Sequence, residues 1–71
     1  IEEFNFKPGL SIRDLAPNDF KIVETEPTQD KHQHEKIMET VSNGYAFVHT
    51  NGRNIVKKAE VKVYKKEIQN G

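Results

Sequence analysis

Val41-Ser42-Asn43-Gly44-Tyr45-Ala46-Phe47-Val48-His49-Thr50-Asn51-Gly52-Arg53 leads through Asn54-Ile55-Val56-Lys57-Lys58 into Ala59-Glu60-Val61-Lys62-Val63-Tyr64-Lys65, and this stretch decides the fold. It reads as a strand, an Asn-Gly turn and a second strand. Asn51-Gly52 between alternating apolar and polar residues signals a hairpin, because a type I′ turn needs positive φ at both central residues. From Lys58 to Tyr64 the alternation is clean. Ala59, Val61 and Val63 face one way and Lys58, Glu60, Lys62 and Tyr64 the other, the pattern of a half-buried antiparallel strand. Upstream, Asn43-Gly44 reads as a bulge or bend that feeds Tyr45–Val48. The ambiguous stretch 35–42 is then best read as a strand, although Ile37, Met38 and Val41 also sit at helical spacing.

Outward from there the signals weaken. Residues 1–7 read as a loose entry segment, and Pro8-Gly9 breaks regular structure. Residues 10–15 fit one short strand or a helical turn. Residues 16–19 form a turn, 20–25 a β-branched strand, 26–30 a loop, and 31–36 continue that connection. The tail, 65–71, is polar and reads as frayed. No helix of about ten residues is predicted. The expectation is one mostly β domain over residues 1–71, a small antiparallel sheet or half-open barrel of short strands.

The apolar fraction is 34%, which leaves a thin core. Its candidates are Phe4, Phe6, Leu10, Ile12, Leu15, Phe20, Ile22, Val23, Ile37, Met38, Val41, Tyr45, Phe47, Val48, Ile55, Val56, Val61, Val63, Tyr64 and Ile68. A chain of 71 residues buries only about 60% of its unfolded surface. Together with a first residue, Ile1, that is not a start methionine, this implies a fragment of something larger. No cysteine is present, so a disulfide framework and a thiolate metal site are excluded. The cytoplasm or an organelle matrix fits that composition. No apolar run approaches the ~20 residues of a membrane helix.

Net charge is zero, which speaks against a nucleic-acid domain. The charges are nevertheless uneven. Arg53, Lys57, Lys58, Lys62, Lys65 and Lys66 crowd the C-terminal third, and Asp14, Asp19, Glu24, Glu26 and Asp30 the N-terminal half. That basic stretch is either a solvated strand face or a surface for a partner. With Tyr45, Phe47 and Tyr64 nearby, single-stranded nucleic acid is the alternative ligand of such a β module.

Catalytic and metal chemistry find little footing. His32 and His34 share a face if extended, but zinc wants three or four protein ligands and only His49 remains beside them. Glu24, Glu26 and Glu39 lack an apolar pocket that would retune them. Ser11 and Ser42 have no nucleophile-elbow glycines, and no phosphate-binding loop occurs. The expectation is a binding protein: not an enzyme, without cofactor or metal.

Val41-x-x-Gly44-Tyr45, Gly52-Arg53 and Ala59-x-Val61-x-Val63 together resemble the C-terminal β (head) domain of GrpE, the nucleotide exchange factor of the DnaK chaperone. Phe6-Lys7-Pro8 and Ile22–Thr28 are similar to that family's upstream elements, so the resemblance covers nearly the whole chain. It differs in a longer hairpin tip, a longer loop from Pro27 to Lys36, and Ile55-Val56-Lys57-Lys58-Ala59 where the family has a shorter arginine-bearing element. Lysine keeps the charge there but not arginine's bidentate geometry. The resemblance implies a module that binds the DnaK nucleotide-binding domain, holds its cleft open and promotes ADP release without binding nucleotide or membrane itself. It implies partner contacts at Val41, Arg53 and Val63, with Lys57 or Lys58 in place of the next arginine. Full-length relatives are dimeric through a helical stalk. Without it, this chain is expected to be monomeric and a weak exchanger.

Overall fold

β-branched residues at every second position need a layer on one side only, and the chain supplies it with six strands in two three-stranded sheets. The computed structural model describes residues 1–67. Its strands are β1 (Glu2–Phe4), β2 (Phe20–Thr28), β3 (Ile37–Ser42), β4 (Gly44–His49), β5 (Gly52–Lys57) and β6 (Ala59–Lys66), with 3₁₀ turns at Ile12–Asp14 and Pro17–Asp19. One sheet runs β2-β6-β3 and the other β1-β4-β5. The fold is mostly β, as expected, but it forms no closed barrel.

A single long hairpin joins the two sheets. β3 passes into β4 through Asn43 alone, and β5 into β6 through Lys58 alone. The pairing runs on through the joint, from Ser42 opposite Glu60 to Tyr45 opposite Lys57, and after a one-residue shift between Tyr45 and Ala46 on to His49 opposite Gly52. β2 flanks one half of this ribbon on the β6 side, and β1 flanks the other half on the β4 side. The result is an elongated body of 53 × 19 × 17 Å with a radius of gyration of 13.9 Å. A compact chain of this length would measure about 11 Å.

The core sits mainly on the first sheet, here called the base; Ala46 is the one buried apolar side chain of the other sheet among the described residues. Ile37, Val61 and Val63 are its buried centre, and Phe6, Ile12, Leu15 and Phe20 pack on them. The aromatic rings step from one sheet to the other. Phe4 meets Phe6 edge-on at 5.9 Å, and Phe6 meets Phe20 at 6.2 Å. Gly44 is needed at the joint because its strand passes close under Phe4 and Ala59. A Cβ there would lie 2.8 Å from the Ala59 nitrogen and closer still to the Phe4 ring.

Several expectations need correction. Residues 1–7 are not loose: β1 pairs antiparallel with β4, Glu3 opposite Tyr45. Of the two readings of residues 10–15, the helical turn holds and the strand does not: Ile12–Asp14 is a 3₁₀ turn, capped by the Ser11 hydroxyl accepting from the Arg13 nitrogen at 3.3 Å. β2 continues past Thr25 through Pro27 to Thr28. It tolerates proline because it lies at a sheet edge, where a missing N–H breaks no ladder bond. β6 is a central strand, antiparallel to β3 but parallel to β2. Alternation alone does not distinguish the two pairings, since both present one face every second residue.

The turn also differs. His49 pairs with Gly52, so Thr50 and Asn51 are the central residues, and neither has positive φ. The type I′ expectation fails, and Gly52 supplies the positive φ, +138°, one position later. Of the core candidates, Leu10, Ile22, Val23, Val41, Tyr45, Phe47, Val48 and Val56 are exposed instead. The β1-β4-β5 sheet, which carries four of them, has no second layer over its outer face among the described residues. Ile68, and the tail from 68 onward, lie outside the described residues.

Candidate protein-binding surface on the hairpin arm

β4 and β5, with β1 beside them, extend beyond the core as an arm. Alternation along β4 gives the arm two different faces. Gly44, Ala46 and Val48 share a face with Phe4 of β1 and Arg53 of β5, while Tyr45 and Phe47 share the other with Glu3. A register irregularity beside Tyr45 and Ala46 leaves Val56 as the extra residue of β5. Phe47, Val48 and Val56 are 48%, 57% and 56% exposed. Large apolar side chains grouped on one projecting element mark an interaction surface more often than isolated ones do.

The expected contact residues do not form one patch. Val41 is exposed at an irregularity of β3, between Thr40 and Ser42. Val63 is corrected: it is 3% exposed and part of the core, because β6 is the central strand of the base, so it presents no surface to a partner. Arg53 follows the turn as expected but is not simply solvated. Its Nη1 lies 3.6 Å from Asp19 Oδ2, and its guanidinium carbon lies 5.0 Å from the centre of the Phe4 ring. Cation–π contact and ion pair together hold the guanidinium against the inner face.

Lys57 and Lys58, equivalent in the sequence, are now distinct. Lys57 Nζ donates to Ser42 Oγ at 2.8 Å and to the Asn43 carbonyl at 2.9 Å, and lies 3.6 Å from Glu60. It pins the crossing between the two sheets. Lys58 is exposed in the one-residue connection between β5 and β6. Of the pair, Lys58 is the one presented outward.

The fold also pairs half of the basic stretch, Arg53, Lys57 and Lys62, with carboxylates. Parallel pairing sets Glu24 opposite Lys62, whose Nζ reaches Glu26 at 3.2 Å and Glu24 at 3.6 Å. The hydrogen bond from Lys62 to Glu26 raises its pKa above 10.5. Partial burial opposes this, and the Glu24 and Glu26 charges add to it. The acidic N-terminal half is thus used on the cationic strand rather than kept apart from it.

Sequence reasoning missed three participants. Glu3 accepts from Asn43 Nδ2 at 2.9 Å and from the Tyr45 hydroxyl at 3.1 Å. That bond, and then the carboxylate charge, raise the Tyr45 pKa above 10.0. Asp19 and Phe4 together hold Arg53. A three-residue strand is too short to show a period, and no local pattern announces an ion pair between residues 19 and 53.

The histidines are separate. His34 Nδ1 accepts from the Lys66 nitrogen at 3.0 Å, and its Nε2 lies 3.3 Å from Glu35 Oε1. Glu35 also holds Arg13 at 2.7 Å. His49 ends β4 at the tip. No cluster of three or more metal-binding side chains occurs among the described residues. Among them, too, no helix is long and apolar enough to cross a membrane. No protein-family model, no curated protein and no solved structure matches the chain.

Proposed function

We propose that this chain is a protein-binding module, the head domain of a GrpE-like nucleotide exchange factor acting on the nucleotide-binding domain of a DnaK-type chaperone. The observation that carries the reading is the arm. Phe47, Val48 and Val56 stand exposed on a hairpin held away from the core, with Arg53 just after its turn and the guanidinium fixed by Phe4 and Asp19. The order of Gly44-Tyr45, Gly52-Arg53 and Ala59-x-Val61-x-Val63 supports the particular partner. In this reading the contact residues are Val41, Arg53 and Lys58, with the arm's apolar side chains around them. The setting is the cytoplasm or an organelle matrix, where such a chaperone works.

The mechanism is a population shift. A module that grips only the open cleft raises the open fraction by its differential affinity, and ADP then leaves faster. Reversing a 99:1 preference for the closed state requires about 10⁴-fold tighter binding to the open one. No group on the module reacts, so a rigid, well-shaped arm is sufficient.

The test is ADP release from a DnaK-type nucleotide-binding domain, with binding measured in the presence and absence of ADP. Accelerated release and nucleotide-sensitive binding are expected. Absence of both, with steeply salt-dependent binding to a single-stranded oligonucleotide instead, would show the module to be a nucleic-acid binder.

A further inference from the structure

Most strand edges here are closed or defended. The outer edge of β3 is covered at its start by backbone hydrogen bonds from Gly9 to the Ile37 carbonyl at 2.9 Å and from Ile37 to the Leu10 carbonyl at 2.8 Å, and the Phe6 backbone bonds the Thr40 hydroxyl farther along. β1 covers the start of β4, and β6 lies between two strands. The outer edge of β2 carries Glu24, Glu26 and Pro27, residue types that discourage pairing. β5 differs. It pairs with β4 only, and among the described residues Gly52–Lys57 make no backbone hydrogen bond on their other side.

A cleft of about 690 Å³ lies against that open side, between β5 and the turn at 16–19. Arg53, Asn54, Ile55 and Val56 line it in succession, with Asp19 and Lys58 at its margin. A hollow on one face of a strand meets every second residue; one that meets four in a row follows the strand's edge.

We propose that the open edge of β5 accepts an extended acidic peptide segment of another protein as an added strand. Backbone groups along β5 supply the hydrogen bonds, and Ile55 and Val56 supply apolar contact. Charge selects the occupant. Residues 52–58 contain Arg53, Lys57 and Lys58 and no acid. A second copy pairing antiparallel about Ile55 would set Arg53 opposite Lys57, and like charges directly opposite destabilise a strand pair. Lys58, without an ion pair among the described residues, and Arg53, which can exchange Asp19 for a peptide carboxylate, attract acidic side chains, while Lys57 stays tied to the joint. Arg53, Val56 and Lys58 also belong to the surface of the chaperone reading, but this inference does not rest on that reading: it uses the backbone edge of β5 and is tested with a different probe.

The probe is a dye-labelled heptapeptide of alternating valine and glutamate, titrated by fluorescence anisotropy against the full chain. Two controls share its length: one with lysine for glutamate, one with two valines replaced by proline. The glutamate peptide is expected to bind, and the lysine peptide not to. The proline peptide keeps the charge but loses two backbone donors, so it is expected to bind about thirtyfold more weakly. Amides within 53–57 should exchange more slowly in the complex. Lys58→Glu, exposed and outside the strands, should weaken binding about fivefold with an unchanged circular dichroism spectrum. Equal binding of the valine and proline peptides, or protection confined to other strands, overturns the proposal. So does a concentration-dependent dimer that the glutamate peptide fails to dissociate, since a second copy would then hold the edge.

Discussion

The base and the arm are built from the same long hairpin, yet they spend their apolar residues in opposite ways. In the base, β6 lies between β2 and β3, and Ala59, Val61 and Val63 are all buried. In the arm, β4 is the central strand but only Ala46 is a buried apolar side chain, while Tyr45, Phe47 and Val48 are exposed. The difference lies in the covering layer. Residues 6–20 fold over the base through Phe6, Ile12, Leu15 and Phe20, and among the described residues nothing comparable crosses the outer face of the arm. One region therefore supplies stability and the other surface, and substitutions should separate the two.

The largest effect should come from the base. Ile37→Ala removes one of the two largest fully buried side chains. Such truncations cost about 2–5 kcal/mol, a large part of what a domain this small possesses. Urea denaturation followed by circular dichroism should find the variant largely unfolded at 37 °C. Phe47→Ala in the arm should change the urea midpoint little and weaken partner binding at least about tenfold. If the two variants lose similar stability, the division between base and arm is wrong.

Next comes the joint. Gly44→Ala forces a Cβ against the Ala59 backbone nitrogen, which cannot swing aside as a long side chain would. A cost of about 1–3 kcal/mol is expected. Hydrogen exchange should show both sheets affected together, because Gly44 belongs to the strand that crosses between them. Confinement of the damage to one sheet would show that the halves fold as separate units.

The sequence disclosed the base better than the arm, for physical reasons. Ala59, Val61 and Val63 alternate cleanly because one face of β6 is covered, and burial leaves a period in the sequence. β3 was legible from Thr40-Val41 leading into Gly44. In the arm, Val48 and Val56 look like core residues, since a solvent-facing valine and a buried one are the same letter. The parallel partner of β6 and the two residues that hold Arg53 depend on pairings between 34 and 49 positions apart, which no local pattern encodes. The two Asn-Gly pairs show the same limit: one glycine permits close approach at the joint and the other supplies positive φ after the turn. Of the candidate contacts, Val41, Arg53 and Lys58 reach the surface. Lys57 is tied into the joint, and Val63 is core.

Arg53 offers a finer separation. Arg53→Ala removes a partly exposed ion pair and a cation–π contact, together about 1 kcal/mol of stability at most. Partner binding should fall about tenfold or more if the guanidinium meets a carboxylate there. Arg53→Lys keeps the charge, so substantial rescue of binding would mean that charge alone matters, and failure of rescue would point to the planar fork. Titration calorimetry against the nucleotide-binding domain would measure both.

The smallest effect is in alkaline solution, and it distinguishes the halves by titration. Lys62 in the base has a folded pKa above its ordinary 10.5, because Glu26 and Glu24 favour its charged form. Tyr45 in the arm has one above its ordinary 10.0, because its hydroxyl donates to Glu3 only while protonated. In both cases the folded pKa is the higher one. Each contribution is therefore fully present below the unfolded value and is lost as pH rises through the folded value. Stability should be insensitive to these groups near neutrality and should decline from about pH 10 upward. Tyr45→Phe should remove the arm's share of that decline and Lys62→Met the base's share, with little change at pH 7 from the tyrosine variant. Urea midpoints at pH 7, 9 and 11 would record it. A midpoint that rises across that interval would reverse the sign for both groups and place Glu3, Glu24 and Glu26 elsewhere than beside them.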